Sequence, residues 1–445
     1  MGVTQELASF VAGLYYDDLP PAAVHEAKRC LLDWIGNALG GSRDEPVDLL
    51  LATLEELGGT PQASVVGRSI RTSLTHAALL NGYLSHVLDF DDTLTDTVLH
   101  PTSPVMPALV ALAERDGASG RDLITAFVAG FEVEARLAQA IFPSHYEAGW
   151  HITGTAGAVG AAAAASRLLG LDPQRTLWAL GIGATQPTGL REHFGTMTKA
   201  LHPGRAAGNG LLATLLAQRG FTAAEASLEG PNGFLRAMAA EADLGVLTRG
   251  LGQDYLICTN GYKPYACGVV NHPIIDGAIH LRNTYGISPE QVDAIEVRAS
   301  DRPPIPQLAA NPDPQTGLSG KFSLAHCAAV GLVDGVALPA QFTDARVRDP
   351  QVAALRRRFR VTLHPTVRET EAYVTAVLKD GRRLEVHIPH ATGTQANPMS
   401  DAALEAKYRG QAGAALPPEQ VDAIARLVWD LETLADLRDL AGRWS

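Results

Sequence analysis

The spacing of apolar residues changes period twice along this chain, and that change limits what it can fold into. In "LPPAAVHEAKRCLLDWIGNAL", "SLTHAALLNGYLSHVLD", "PVMPALVALAERD" and "DLITAFVAGFEVEARLAQAI" apolar residues recur every three or four positions, the period of a helix with one buried face. From about residue 290, "VDAIEVRAS", "RFRVTLHP", "AYVTAVLKDG" and "RRLEVHIP" alternate in the manner of strands, and "KDGR" supplies a turn between the last two. Beyond residue 399, "MSDAALEAKYRGQAG" and "PPEQVDAIARLVWDLETLADLRDLAGRW" return to helical spacing. The pattern predicts a mainly α protein: a large all-helical domain (1–259), a smaller inserted α+β domain (260–397) and a C-terminal helical return (398–445). A chain of 445 residues exceeds what one core usually supports, and its 46% hydrophobic content suffices for two.

The stretch "GTAGAVGAAAAASRLLG" is small and apolar on all sides, so it reads as a buried helix whose glycines permit close backbone approach. No strand precedes it, which argues against a dinucleotide-binding loop. A net charge of −12 without long runs of like charge excludes a nucleic-acid or anionic-membrane partner, and no apolar run reaches the roughly 20 residues of a membrane span. The four cysteines lack CxxC or zinc-ligand spacing, and the N-terminus lacks a signal pattern, so a reduced, cytoplasmic setting is expected.

Three stretches carry candidate chemistry. "HVLDFDDTLTDTVLHPTSP" holds His86, Asp89, Asp91, Asp92, Asp96 and His100. If the preceding helix persists, Asp89 and Thr93 share a face. Ser103 and Pro104 then read as the cap and first residue of a new helix, whose positive end would keep His100 neutral. Asp91, Asp92 and Asp96 read as solvated loop acids or helix-end hydrogen-bonders, and His86, His145, His193 and His364 as core or cap residues. The second stretch, "GLREHFGTMTKALHPGRAAGNG", places Arg191, Lys199, His202 and Arg205 before an apparent helix start, a plausible anion site. In the third, "GYKPYACGVVNHPIIDGAIHL", Lys263 and His272 fall at the proposed domain junction, where pockets commonly form. Only six of 36 basic residues are lysine, so a lysine in such a stretch is unusual for this chain. Four His-Pro dipeptides suggest that the arrangement at His100 recurs.

At this point a resemblance becomes specific. "FDDTLTDTVLHPTSPVMPALVALAE", "GWHITGTAGAVGAAAAASRLLGLD", "TKALHPGRAAGNGLLATLLAQRGFT", "LEGPNGF", "GYKPYACGVVNHPIIDGAIHL" and "KFSLAHCAAVGLVDG", in that order, resemble the MmgE/PrpD family over nearly the whole chain. That family includes 2-methylcitrate dehydratase, cis-aconitate decarboxylase and an iminodisuccinate epimerase. The resemblance implies a helical domain with an α+β lid, a homodimer, and a site lined by Asp89, Thr93, His100, His151, Lys199 and Lys263. It also marks a departure, because members of the decarboxylase type carry tyrosine where this chain has His326.

The expectation is therefore an acid/base enzyme without metal or cofactor, moving a proton beside a carboxylate of a small di- or tricarboxylic acid. Lys199 and Lys263 would hold carboxylates, His100 and His151 would be acid and base, and Asp89 would orient a histidine or a lysine. Thr93, Arg191, His202, Arg205, His272 and His326 would contact substrate. Dehydration ranks first as the family's commonest activity, with decarboxylation and epimerisation next. From other classes, a metal-dependent lyase and a non-catalytic carboxylate-binding protein stay open. "DDTLTD" also resembles the magnesium motif of terpene synthases, but 6% aromatics and no second metal motif argue against a carbocation cavity.

Overall fold

The computed structural model describes residues 2–444, and in it most of the helical and strand periods of the sequence fall where the pattern puts them. The helical body contains α1 (Val3–Gly13), α2 (Pro21–Gly41), α3 (Glu45–Leu57), α4 (Leu74–Val87), α5 (Thr102–Asp116), α6 (Gly120–Ile141), α7 (Ile152–Leu168), α8 (Pro173–Ala184) and α9 (Thr198–Gln218). Helix α7 is the small-residue stretch. Every residue from Ile152 to Ser166 is buried, because α5, α6, α8 and α9 surround it. Such contact requires side chains without bulk: a Cβ on Gly210 of α9 would lie 2.5 Å from the Ala161 methyl of α7. At the crossing of α4 and α9, a Cβ on Gly82 would stand 2.7 Å from the Cα of Gly204. That crossing brings the C-terminal end of α4 against the first turns of α9.

The chain passes into the inserted region at Tyr262 and out at Gly393, side by side, with the Tyr262 amide donating to the Gly393 carbonyl at 2.9 Å. Within it, β1 (Val292–Ser300) lies at the centre of a four-stranded sheet of order β2-β1-β3-β4, with β2 (Phe359–His364), β3 (Ala372–Leu378) and β4 (Arg383–Ile388). β1 runs parallel to β2, pairing Val297 with Val361, and antiparallel to β3, pairing Val297 with Val374. The β3–β4 hairpin turns at "KDGR", with Gly381 at φ 90°. Helix α10 (His272–Tyr285) packs on this sheet and on α11 (Leu324–Asp334), while β2 and β4 alternate between half-buried and exposed positions. The final helices, α12 (Asp401–Ala412) and α13 (Pro418–Trp429), return to α2. There Lys407 pairs with Asp33 at 2.6 Å, and Trp444 meets Trp34 edge-on. Among the described residues, no helix is long and apolar enough to cross a membrane.

Candidate active site

Helix α4 does not persist through the acid-rich stretch; it ends at Val87, and Asp89 takes a left-handed conformation at φ 51°. Asp89 and Thr93 therefore do not share a helix face. The chain instead runs as a loop, pinned by two hydrogen bonds between Thr93 and Gly261 at 2.8 and 3.2 Å, until α5 begins at Thr102. Val98 is the second non-glycine residue with positive φ, and both it and Asp89 line the pocket described next. Each such conformation costs an L-residue about 1–2 kcal/mol, so tertiary contacts must hold the loop in this path.

A pocket opens where the helical body meets the inserted region. Its wall includes Asp89, His100, His151 and Lys199 from the body and Lys263 and Phe322 from the insert. Asp89 Oδ1 accepts from Lys263 Nζ at 2.5 Å and from Lys199 Nζ at 3.0 Å. Burial alone would raise the Asp89 carboxyl, but the two ammonium groups hold it well below the usual carboxylate range. Burial pulls Lys199 down, against Asp89, while the pull of Asp89 and Asp91 outweighs burial at Lys263 and raises it. Phe194 and Phe322 stack at 5.8 Å, and Lys199 Nζ lies 5.4 and 5.5 Å from their ring centres, a cation flanked by two aromatic faces.

His100 Nδ1 lies 2.9 Å from the Asp92 carbonyl and 3.0 Å from Thr93 Oγ1. A carbonyl only accepts, so Nδ1 carries the proton and Nε2 keeps its lone pair. The ring is held well below its ordinary pKa first by burial, opposed by Asp91, and then by Lys263, His86 and Lys199. Neutrality thus follows from burial among cations more than from the helix start that the sequence suggests. His151 caps α7, with Nδ1 3.0 Å from His202 Nδ1, and burial together with Lys199 and the neighbouring histidines keeps it neutral too. Burial likewise lowers His202 to about 4.

The remaining candidates separate. Thr93 turns its hydroxyl onto His100, and His202 stands behind His151, so neither borders the pocket. Arg191 lies 3.7 Å above the Tyr146 ring and donates to the Tyr146 carbonyl at 2.8 Å, bracing a wall residue from outside. Arg205 is exposed on α9, which starts at Thr198 and not after the "HPGR" stretch. His272 opens α10 against Tyr265, and His326 Nε2 donates to the Gln341 carbonyl at 2.9 Å beside Phe342. Neither reaches the pocket, so His326 does not stand in for a tyrosine there. The four His-Pro pairs fall in four different settings: a loop, a helix interior, a helix start and a strand end.

The acids divide between the two alternatives. Asp96 is exposed, whereas Asp91 and Asp92 are each about 1% exposed and accept from Ser103 and Thr102 at the start of α5. Asp92 accepts from Thr102 Oγ1 at 2.6 Å and Asn260 Nδ2 at 2.7 Å. Burial raises its carboxyl to about 8, against the Thr102 bond and aided by Asp33 and Asp91. Lys321 was also missed. It is buried, donates to the Leu88 carbonyl at the end of α4 at 2.5 Å, and is lowered to about 8 by burial, against Asp89. The scarcity of lysine was the available signal, since Lys321 sits in "KFSLAHC".

Ring nitrogens of His86, His100 and His151 lie within 4.8 Å of one another, a donor set that zinc accepts. Lys199 and Lys263 place two positive charges against the same pocket, which opposes a dication there.

Helical body, α+β insert and a buried, lysine-lined pocket at their junction define the class of molecule. The chain belongs to the MmgE/PrpD family: it matches the MmgE/PrpD N-terminal domain over residues 5–247 and the C-terminal domain over 265–432. It is 29% identical to a cis-aconitate decarboxylase of Aspergillus terreus, over 99% of this chain and 95% of the relative. It is 29% identical to the cis-aconitate decarboxylase of Mus musculus (98% and 91% covered) and 28% to that of Homo sapiens (98% and 92%).

Proposed function

We propose that this protein is a lyase that decarboxylates a small tricarboxylic acid of the cis-aconitate kind, without metal or cofactor. The observation that carries the reading is the likeness, along nearly the full length of both chains, to relatives named for that activity. Sequence motifs alone rank dehydration first; these relatives reverse the order. The pocket suits an anionic acid. Lys199 and Lys263 each carry three N–H donors, so each can donate to a substrate carboxylate while still holding Asp89.

In the reaction one C–C bond breaks, CO2 leaves, and the electron pair left on carbon takes one proton. The lysines stabilise the negative charge as it spreads toward a neighbouring carboxylate. His100 or His151 delivers the proton from Nε2. Burial holds each neutral, and an incoming polyanion raises its pKa, so the proton is taken up with the substrate. Thr93 and the Asp92 carbonyl hold the His100 ring at this angle.

The test is incubation in D2O with cis-aconitate, 2-methylcitrate, citrate and an aspartate-derived acid, with and without chelator, followed by NMR. The expected result is CO2 and a dicarboxylic product bearing one new deuterium, from cis-aconitate only and unchanged by chelator. Water loss from 2-methylcitrate with cis-aconitate untouched would return the reading to dehydration. Activity abolished by chelation and restored by zinc would make the three histidines a metal site.

A further inference from the structure

Decarboxylation consumes one proton per turnover, so whichever histidine delivers it must be recharged from solvent. The pocket under His100 and His151 is small, about 50 Å³, and its mouth is shared with the insert. On the other side of Asp89 lies a much wider cleft of about 780 Å³, lined by Tyr83, His86, Lys321 and Asp44 among others. Asp89, Lys199 and Phe322 border both spaces; His100 and His151 border only the pocket, and His86 borders only the cleft.

His86 is built for passage between the two. Its Nδ1 lies 2.7 Å from Asp91 Oδ2, which also accepts from Ser103 Oγ at 2.7 Å, so Nδ1 holds a proton. Nε2 is thereby left with its lone pair, buried and without a partner. The His86 ring stands 4.7 Å from that of His100 and 5.8 Å from that of His151. The second oxygen of Asp91, also unpartnered, lies 3.7 Å from His100 Nδ1, so one carboxylate faces both rings. Burial would raise Asp91, but His86 and His100 hold it far below the ordinary carboxylate range, and its fixed negative charge stabilises an imidazolium on either side.

We propose that His86, oriented by Asp91, carries protons from the wide cleft to the proton-donating histidine of the pocket. A proton from the cleft that His86 lines is taken up at its buried, unpartnered Nε2 and passes on to Nε2 of His100 or to the ring of His151. No electrons move, and one proton taken from solvent balances the one bound to product carbon. The inference rests on the decarboxylase reading above.

The test compares wild type with His86→Gln and Asp91→Asn on cis-aconitate, measuring kcat, KM, affinity for the dicarboxylic product, and the response of kcat to added imidazole at fixed pH and ionic strength. The expected result for His86→Gln is a fall in kcat of about 10–100-fold, with KM and product affinity within about threefold. Imidazole, which fits the cleft, then restores kcat several-fold in the variant and leaves wild type unchanged. Asp91→Asn lowers kcat in the same direction. An unchanged kcat in His86→Gln, or a lowered kcat that imidazole does not restore while product still binds, overturns the relay. Loss of product binding together with kcat also overturns it, since His86 is then a structural prop. Wild type inactive on cis-aconitate defeats the functional reading itself, a distinct outcome.

Discussion

The stretches 86–100 and 189–205 look alike in sequence, each dense in histidine and charge, yet they meet opposite fates. In the first, His86, Asp89, Asp91, Asp92, Thr93 and His100 are all buried and almost all hydrogen-bonded to one another or to the insert. In the second, Lys199 and His202 turn inward, whereas Arg205 faces solvent and Arg191 braces a wall from behind. The first is a loop threaded between two domains, where a polar side chain has no water and must find a partner. The second soon becomes helix, and helical geometry sends only one face inward. Charge density along a sequence therefore does not mark a site; the path of the backbone does.

The largest effect should come from the first stretch. His100→Gln is expected to lower kcat on cis-aconitate by about 10²–10⁴-fold with the fold intact, read by steady-state kinetics beside circular dichroism. A fall under tenfold would leave His151 as the donor and break the assignment. Next comes the scaffold that joins the two stretches. Gly82→Ala places a methyl 2.7 Å from Gly204 and forces α4 from α9, at an expected cost of about 1–3 kcal/mol in denaturant unfolding. Because that crossing also sets Asp89 against Lys199, activity should drop with it.

Asp92 gives a smaller, pH-dependent effect. Its carboxyl ionises near 3.8 when unfolded and near 8 when folded, so between those values the folded chain holds a proton that the unfolded chain lacks. Stability from this group therefore falls as pH rises through that window and levels off above it. Asp92→Asn has no proton to lose, so its Tm relative to wild type should rise between about pH 5 and 8; a constant difference would place an ionised carboxylate there. The smallest effect belongs to the second stretch: Arg205→Ala should leave kcat/KM within about twofold, as for an ordinary surface substitution. A loss of tenfold would put an anion contact on α9 that the fold does not supply.

Much of this molecule was legible without coordinates. The four strands of the inserted sheet match their alternating segments closely, since a sheet with one covered face demands a period of two. The burial of α7 followed from its composition, and the pocket's lysines from their rarity and from the family motifs. Other features were not legible. The end of α4 at Val87 was hidden because nothing in "SHVLDFDDT" stops a helix; the left-handed turn at Asp89 is imposed by its lysine partners and the Gly261 pairing. His326 looked like a replacement for a pocket tyrosine, yet its ring bonds the Gln341 carbonyl outside the pocket lining.

The amino-acid sequence by itself determined most of the helical and strand segments and which residue types are available for proton transfer. These are local properties, set by periodicity and side-chain chemistry. Only the tertiary structure decided that Asp91 is a buried bridge between two imidazoles, that Asp92 keeps its proton near neutral pH, and that His86 stands between cleft and pocket. Those properties depend on desolvation and on charged groups that α2, α4, the loop after it and α5 bring together, and they exist only once these segments have packed.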